Sequence, residues 1–587
     1  MNPDLVGRRL ALCCLALACL GVLGLTSSQV HDFDLFWQLQ SGRFMWESGA
    51  IIRQDLFSLA AEMPRWEHCW LHDLIFFAVY QAGGYAGLSL FKGVLLTSTA
   101  VLLMAAARLR GGSPPVLLLA ALPVFFLTRG GWLERPQLWS YLLFAAMLLC
   151  LEASRRTDSR KVFWLVPLMV CWANLHAGAI LAYPVFAAYV VGFALDSRLG
   201  GEPFPPGHFR RLGIVAPLLV LCGFLTPYGG ELFRALWSAP SLGVDSGMNT
   251  QLYNMDWRPT DLARNPQLPY LWGAAALLAA LSWRRGSWAD LCLFAGLTLM
   301  ALKLERHVPF LYMGFMVLAP RYVELLGARL KKLFPRLESR LAVPAVLLLG
   351  LLAVLWMATP VYRTYGLFRP GLRTWQFPVA AAEFVRQESL PANLYNTYDW
   401  GGYLMWVLYP EYRVFWDGRQ SSPAMFDAGH RIMRGADDWP ALLASFDVNT
   451  VLTKTCTVDT GQHYPLIDRL RDSPEWALVH ADQSALVYVR IARVPADWLE
   501  RHRLPPERAD DAILSEATLL VADHPGRYMA WWEIARIRVA RREYAAAFQA
   551  LERHLAHAPQ GQHLPAAEQL YRTLYPMRGR FAGEIEK

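Results

Sequence analysis

Asp32 and Asp34 stand two residues apart, just beyond an apolar run, 10–25, that is led by Arg8 and Arg9. A run of that length with basic residues at its start reads as a membrane helix entering from the cytoplasm. The two carboxylates would then lie at the outer membrane surface. A pair so placed can act as a general base, or Asp34 with Asp32 can hold a divalent cation, for chemistry on a lipid-linked substrate. Acidic residues outside a span are commonly no more than solvated loop residues. Their weight here comes from the polar residues that accompany them.

Arg135 in "ERPQ" and Arg306 with His307 in "ERHVPF" open apolar spans from the same side. An arginine there can grip a phosphate through two parallel hydrogen bonds. It can equally anchor at the headgroups, or pair with its neighbour Glu134 or Glu305. Asn174 and His176 in "WANLHAG" sit at the outer end of another span, where polar side chains usually face a cavity. A structural, internally bonded His176 is the competing reading. His68 in "WEHCWLHD" has His72 and Asp73 one helical turn on. His68, Glu134, Asn174 and His176 are the candidate lining on the acceptor side. Farther along, Asp399 with Gly401 and Gly402, and Asp417 with Arg419, read first as tight structural turns. No phosphate-loop, dinucleotide, zinc or nucleophile-elbow pattern appears in the chain, which argues against ATP-driven transport and hydrolase chemistry.

The elements that must position these groups are mostly membrane helices. The chain has 587 residues, 55% of them apolar, and a mean hydropathy of +0.23, too hydrophobic for an ordinary soluble enzyme. Apolar spans are expected at 10–25, 88–107, 115–128, 138–151, 162–173, 180–195, 212–225, 268–281, 289–302, 308–319 and 341–357, about eleven crossings. Basic residues recur in every second loop, at Arg8, Arg108, Arg155, Arg198, Arg284 and Arg321. This places the amino terminus in the cytoplasm and the chain beyond about residue 359 outside. The formal charge of +8 is thus a matter of topology, and no nucleic-acid partner is implied. The first span also fits a cleavable signal peptide, without changing the side on which Asp34 falls. The nine cysteines make no disulfide framework.

Three parts follow: a polytopic membrane domain, 1–361, with a long first outer loop, 29–87; a small extracytoplasmic α/β domain, 362–495; and a helical tail, 505–587. Trp37, Trp46, Trp66 and Trp70 suit interfacial helices within the first outer loop. A second outer loop, 229–267, carries Asp245, Asp256, Trp257 and Arg258. In the α/β part strands are expected at 448–452 and 485–489, and helices at 379–388 and 438–446. In the tail Ala530, Trp531, Ala535, Tyr544, Ala547, Phe548, Leu551 and Pro559 fall near the spacing of a tetratricopeptide (TPR) unit. A plain helical hairpin is the alternative.

The stretches "HDFDLFWQLQSGRFMWESGAIIRQDLFS" and "WEHCWLHDLIFFAVYQAGGYAGLSLFK", then "ERPQLWSYLL", "WANLHAG", "TPYG", "ERHVPF", "YDWGGYLMW" and "VFWDGR", stand in an order over residues 31–420 that resembles bacterial multispan proteins of the C-type glycosyltransferase (GT-C) superfamily. Two positions depart from the group: Cys69 where an acidic residue is usual, and Gln38 where a His is common. The resemblance implies a GT-C-like fold in the bacterial inner membrane and a polyprenyl-phosphate-linked sugar as donor. It also implies Asp34, with Asp32, in the catalytic place, and Mg²⁺ or Mn²⁺ as the cofactor if one is used. The expected activity is inverting transfer of the sugar to a glycan, lipid or protein acceptor on the extracytoplasmic side. The alternatives are a non-catalytic envelope scaffold that recruits a protein partner through the outer domain and tail, and a lipid-linked sugar flippase.

Overall fold

A computed structural model describes residues 16, 19–59, 67–128, 131–200, 205–231, 258–281, 286–333, 368–419, 422–559 and 563–578. The expected span 341–357, most of 10–25, and Asp245, Asp256, Trp257 and Trp66 lie outside the described residues. The chain divides into two compact units: residues 1–52 with 66–372, and residues 53–65 with 373–587.

The first unit is helical. In chain order it contains α1 (Leu35–Ser48), α2 (Trp70–Leu109), α3 (Pro114–Leu127), α4 (Gln137–Arg156), α5 (Leu165–Leu175), α6 (Ala182–Leu199), α7 (His208–Gly223), α8 (Leu268–Leu281), α9 (Trp288–Lys303) and α10 (Val308–Leu333). Every expected span from 88–107 to 308–319 falls on one of these helices. Among the described residues four helices are long and apolar enough to cross a membrane: Trp70–Leu109, Gln137–Arg156, Ala177–Leu199 and Glu305–Arg329. Leu221 of α7, Leu277 of α8 and Leu299 of α9, each more than half exposed, give these shorter helices an apolar exterior, as a membrane protein requires.

The longest helix is interrupted at Gly84, with φ 58° and ψ −154°. Only glycine takes up that conformation at no steric cost. The break separates a leading segment, 70–83, from the expected span that starts at Leu88. Gly42 of α1 lies against α2, where a Cβ would come within 2.2 Å of the Asp73 carbonyl oxygen. Its missing side chain sets how closely the two helices that frame the first outer loop approach.

Arg155, read above as a topology marker, is internal, and so is Arg110. Arg110 bonds Glu152 at 2.7 Å and also Asp290, Arg156 bonds Glu152 at 2.9 Å, and Tyr322 donates to Asp290 at 2.7 Å. Arg155 meets Asp196 at 3.4 Å. Charges taken out of water survive only when paired in this way. These pairs join α2, α4, α6, α9 and α10.

The second unit holds a four-stranded mixed sheet in the order β1-β2-β4-β3: β1 (Leu394–Asn396), β2 (Thr450–Lys454), β3 (Trp476–Ala481) and β4 (Ala485–Arg490). β1 runs parallel to β2, and β4 is antiparallel to both β2 and β3. All five residues of β2 are buried, as a central strand covered on both faces demands. The strands expected at 448–452 and 485–489 correspond to β2 and β4; β1 and β3 were not foreseen. Helices Val379–Gln387 and Trp439–Ser445 stand where helices were expected.

Part of the first outer loop belongs to this unit. Val414 donates to the Phe57 carbonyl at 3.2 Å and accepts from Leu59 N–H at 2.9 Å. Arg419, 1% exposed, grips Asp417 at 2.7 Å and meets Asp55 at 3.2 Å. The "WDGR" motif is thus an internal clasp. The tail belongs to the same unit and continues as helices Glu507–Asp523, Tyr528–Ala540, Tyr544–His557 and Pro565–Leu574, each packed on the next. Ala530, Ala535, Ala547 and Leu551 are buried among them.

Candidate active site

The chain segment before α1 is shaped by its own acidic residues. The Asp34 backbone N–H donates to Asp32 Oδ1 at 3.3 Å, the local turn that aspartate favours. Asp32 is buried, with 2% of its side chain exposed, whereas Asp34, the N-cap residue of α1, keeps 32%. Trp37 Nε1–H donates to Asp34 Oδ1 at 3.4 Å.

Arg135 lies two residues before α4 and holds the pair together. Its Nε and Nη2 donate to Asp32 Oδ2 and Oδ1 at 2.7 and 2.8 Å, a bidentate grip, and Nη2 reaches Asp34 Oδ2 at 3.1 Å. The fork of a guanidinium suits this role and an ammonium would not fill it. Asp34 is the more open of the two carboxylates.

Glu134 does not pair with Arg135, as one sequence reading allowed. It is fully buried and bonds Lys92 Nζ at 2.5 Å, which also donates to Ser28 Oγ at 3.0 Å. Glu134 is therefore an internal counter-ion and not an exposed acceptor contact. Glu305 likewise turns from Arg306 and accepts from Asn265 Nδ2 at 3.0 Å.

The start of α2 joins the same end of the helices. His72 accepts from Trp139 Nε1–H through Nδ1 at 3.0 Å, so its proton sits on Nε2, which donates to Gln38 Oε1 at 3.0 Å. Both ring nitrogens are committed. Gln38, odd against the resemblance, is the partner this tautomer requires. Asn174 accepts from Trp70 Nε1–H at 2.9 Å and donates to the carbonyls of Val170 and Leu225 at 2.8 Å each. Its amide thus bonds Trp70 and two backbone carbonyls within the fold. His176 Nδ1 shares a hydrogen with Ser140 Oγ at 2.6 Å, and Ser140 accepts from Trp172 Nε1–H at 2.7 Å. His176 is thus hydrogen-bonded within the helix bundle. His307 Nδ1 lies 3.2 Å from the Met300 carbonyl in the last turn of α9.

Arg306 acts electrostatically on Cys69 and His176, and His68 on His72 and His176. The hydrogen bonds from His72 of α2 to Gln38 of α1 and Trp139 of α4 bring the first turns of these three helices together. Helix N-termini carry partial positive charge and unsatisfied N–H groups, which favour an anion.

A divalent cation fits this donor set poorly. Both Asp32 oxygens are taken by Arg135, whose guanidinium stands between the two carboxylates where a shared metal would have to sit. Among the described residues no three His, Cys, Asp or Glu side chains come close enough to bind a metal.

Sequence reasoning missed Lys92, which looks like one basic residue in an apolar run. It also missed the partners of His72 and His176. A lone Lys within a membrane span is the one signal that could have pointed to Lys92, since such a charge must find a partner.

No protein-family model and no curated protein sequence matches the chain. Solved structures do share its architecture. The archaeal oligosaccharyltransferase AglB from Archaeoglobus fulgidus, in complex with an inhibitory peptide and a dolichol-phosphate, aligns with a TM-score of 0.57 at 10% identity, over 97% of this chain and 86% of that one. The arabinofuranosyltransferase AftD from Mycobacteria aligns at 0.52 and 15% identity over 82% of this chain, which spans only 40% of AftD. ArnT from Cupriavidus metallidurans, bound to undecaprenyl phosphate, aligns at 0.49 and 14% identity, over 82% of this chain and 98% of that one. At these identities the likeness speaks to the fold alone, which this chain shares with AglB and AftD.

Proposed function

We propose that the protein is an integral membrane glycosyltransferase that moves a sugar from a polyprenyl-phosphate-linked donor to an acceptor hydroxyl or amide on the extracytoplasmic side of a bacterial inner membrane. The observation that carries this reading is the Asp32–Arg135–Asp34 cluster at convergent helix starts, with Asp34 open and Asp32 buried. AglB, which shares the fold, is a transferase whose structure contains a dolichol-phosphate.

In this reading Asp34 accepts the proton of the acceptor as its oxygen or nitrogen attacks the anomeric carbon. The bond from that carbon to the lipid phosphate breaks, and the phosphate leaves with the bonding pair. Direct displacement inverts the anomeric centre and needs no covalent intermediate. Arg135 fixes the carboxylates, a change from the phosphate-binding role expected of it. Charge on the departing phosphate falls to Arg306, His68 and the helix starts. Asp32 is too tightly held by Arg135 to serve as the base.

The test is transfer from a panel of radiolabelled undecaprenyl-phosphate sugars by the full-length protein in lipid nanodiscs. Asp34→Asn is expected to lower the rate by about a hundred- to ten-thousand-fold, the usual contribution of a general base. Full activity in that variant would end this mechanism. The tail, read as a TPR-like unit, would recruit a protein partner, and deletion of 505–587 should then abolish co-purification of that partner without loss of transfer.

A further inference from the structure

Lys92 has no part in the chemistry just described, yet it is the most enclosed cation in the first unit's site region. Its side chain and that of Glu134 are both 0% exposed. Its Nζ donates to Glu134 Oε1 at 2.5 Å and to Ser28 Oγ at 3.0 Å. Ser28 precedes Asp32 by four residues, and Glu134 directly precedes Arg135. One ammonium on α2 therefore ties together the two chain segments whose next charged groups meet in the bidentate Asp32–Arg135 pair.

A buried ion pair is a poor device for stability, because apolar side chains of similar volume often serve the fold equally well. This one is also incompletely satisfied: Glu134 Oε2 makes no hydrogen bond. What the pair supplies is register. Ser28 and Glu134 are held at hydrogen-bond distance from one atom, and this limits how far the segments carrying Asp32 and Arg135 can slide past each other.

We propose that Lys92 is a positioning residue for the candidate active site, setting through Ser28 and Glu134 the place at which Arg135 locks Asp32 and presents Asp34. The catalytic part of this statement rests on the glycosyltransferase reading. The positioning part does not, and it has its own readout.

The experiment compares the wild type with Lys92→Met/Glu134→Gln, both full-length in nanodiscs. Removing the charged pair as a unit leaves no uncompensated buried charge, so the double variant should fold, whereas Lys92→Met alone would leave the Glu134 carboxylate buried without its cation. The probe is phenylglyoxal, and the rate of modification is followed at Arg135 and at Arg155 by mass spectrometry. Loosening the lock should speed modification of Arg135 about tenfold, within the range for coupled buried neighbours, and leave Arg155 unchanged. Equal rates at Arg135 in the two proteins, or parallel acceleration at both arginines, would overturn the proposal. With an active sugar donor in hand, kcat should fall about a hundredfold with little change in KM, the mark of misplacement without lost binding. A wild type that transfers no sugar would end the glycosyltransferase reading, and the labelling result would still decide the role of Lys92.

Discussion

His463 offers the sharpest quantitative test in the second unit. It lies between Asp468, 2.7 Å from Nε2, and Glu533 of the tail helix Tyr528–Ala540, 2.8 Å from Nδ1. Burial opposes its charge, but hydrogen bonds and attraction from Asp468 and Glu533 outweigh that and push its pKa from 6.5 up to about 9. Arg536 backs Glu533 at 2.8 Å, and Arg471 with Asp510 completes the surrounding charges. A rise of that size corresponds to about 3 kcal/mol at about 1.4 kcal/mol per unit. The folded value lies above the unfolded one, so this stabilisation is complete below about pH 6.5 and is lost as pH rises through about 9. Asp468 and Glu533 are held below the usual carboxylate range, by their bonds to His463 against the opposing effect of burial. Their share is present above that range and lost on acidification. Docking of the tail helix should therefore be firmest near neutrality. The assay is hydrogen exchange of Tyr528–Ala540 in the full-length protein, with each rate normalised to intrinsic exchange at its pH. Protection should fall on the order of a hundredfold between neutrality and about pH 10, and His463→Gln should start low and show no such slope. Flat protection across that range in the wild type, or an equal slope in His463→Gln, would refute the reasoning.

Other perturbations follow from the same geometry. Arg419→Met removes the cation held between Asp55 and Asp417, both nearly inaccessible. It should destabilise the second unit by about 3–5 kcal/mol and raise hydrogen exchange across residues 53–59, measured by mass spectrometry. Gly401→Ala would place a Cβ within 2.1 Å of the Trp416 carbonyl oxygen. The backbone would have to give way, at a cost of about 1–3 kcal/mol read as a lowered thermal midpoint. Arg135→Lys keeps the charge near Asp32 but loses the fork. Transfer activity should drop about tenfold or more, the loss of one charge-assisted hydrogen bond, with the melting temperature less affected than in Arg135→Met.

The helices of the first unit were legible because each apolar run is a local property of the chain: a stretch such as Leu268–Leu281 must hide its backbone polar groups from hydrocarbon, and a helix does so within the segment itself. The Asp32/Asp34 pair was legible for the same local reason, as were β2 and β4, whose β-branched runs suit a buried sheet. The three-residue β1 was not, since Leu394–Asn396 becomes a strand only through pairing with Thr450–Leu452.

The site divides along the same line. Residue types and their order along the chain determined which groups could do chemistry. Partnership was decided by tertiary structure: Arg135 with Asp32 instead of Glu134, Glu134 with Lys92, His72 with Gln38 and Trp139, and Arg419 with Asp55. Each of these contacts spans tens to hundreds of residues of sequence. A charged side chain removed from water must find its counterpart wherever the packed helices and sheet bring one within reach, and that choice depends on the whole fold, not on neighbours along the chain.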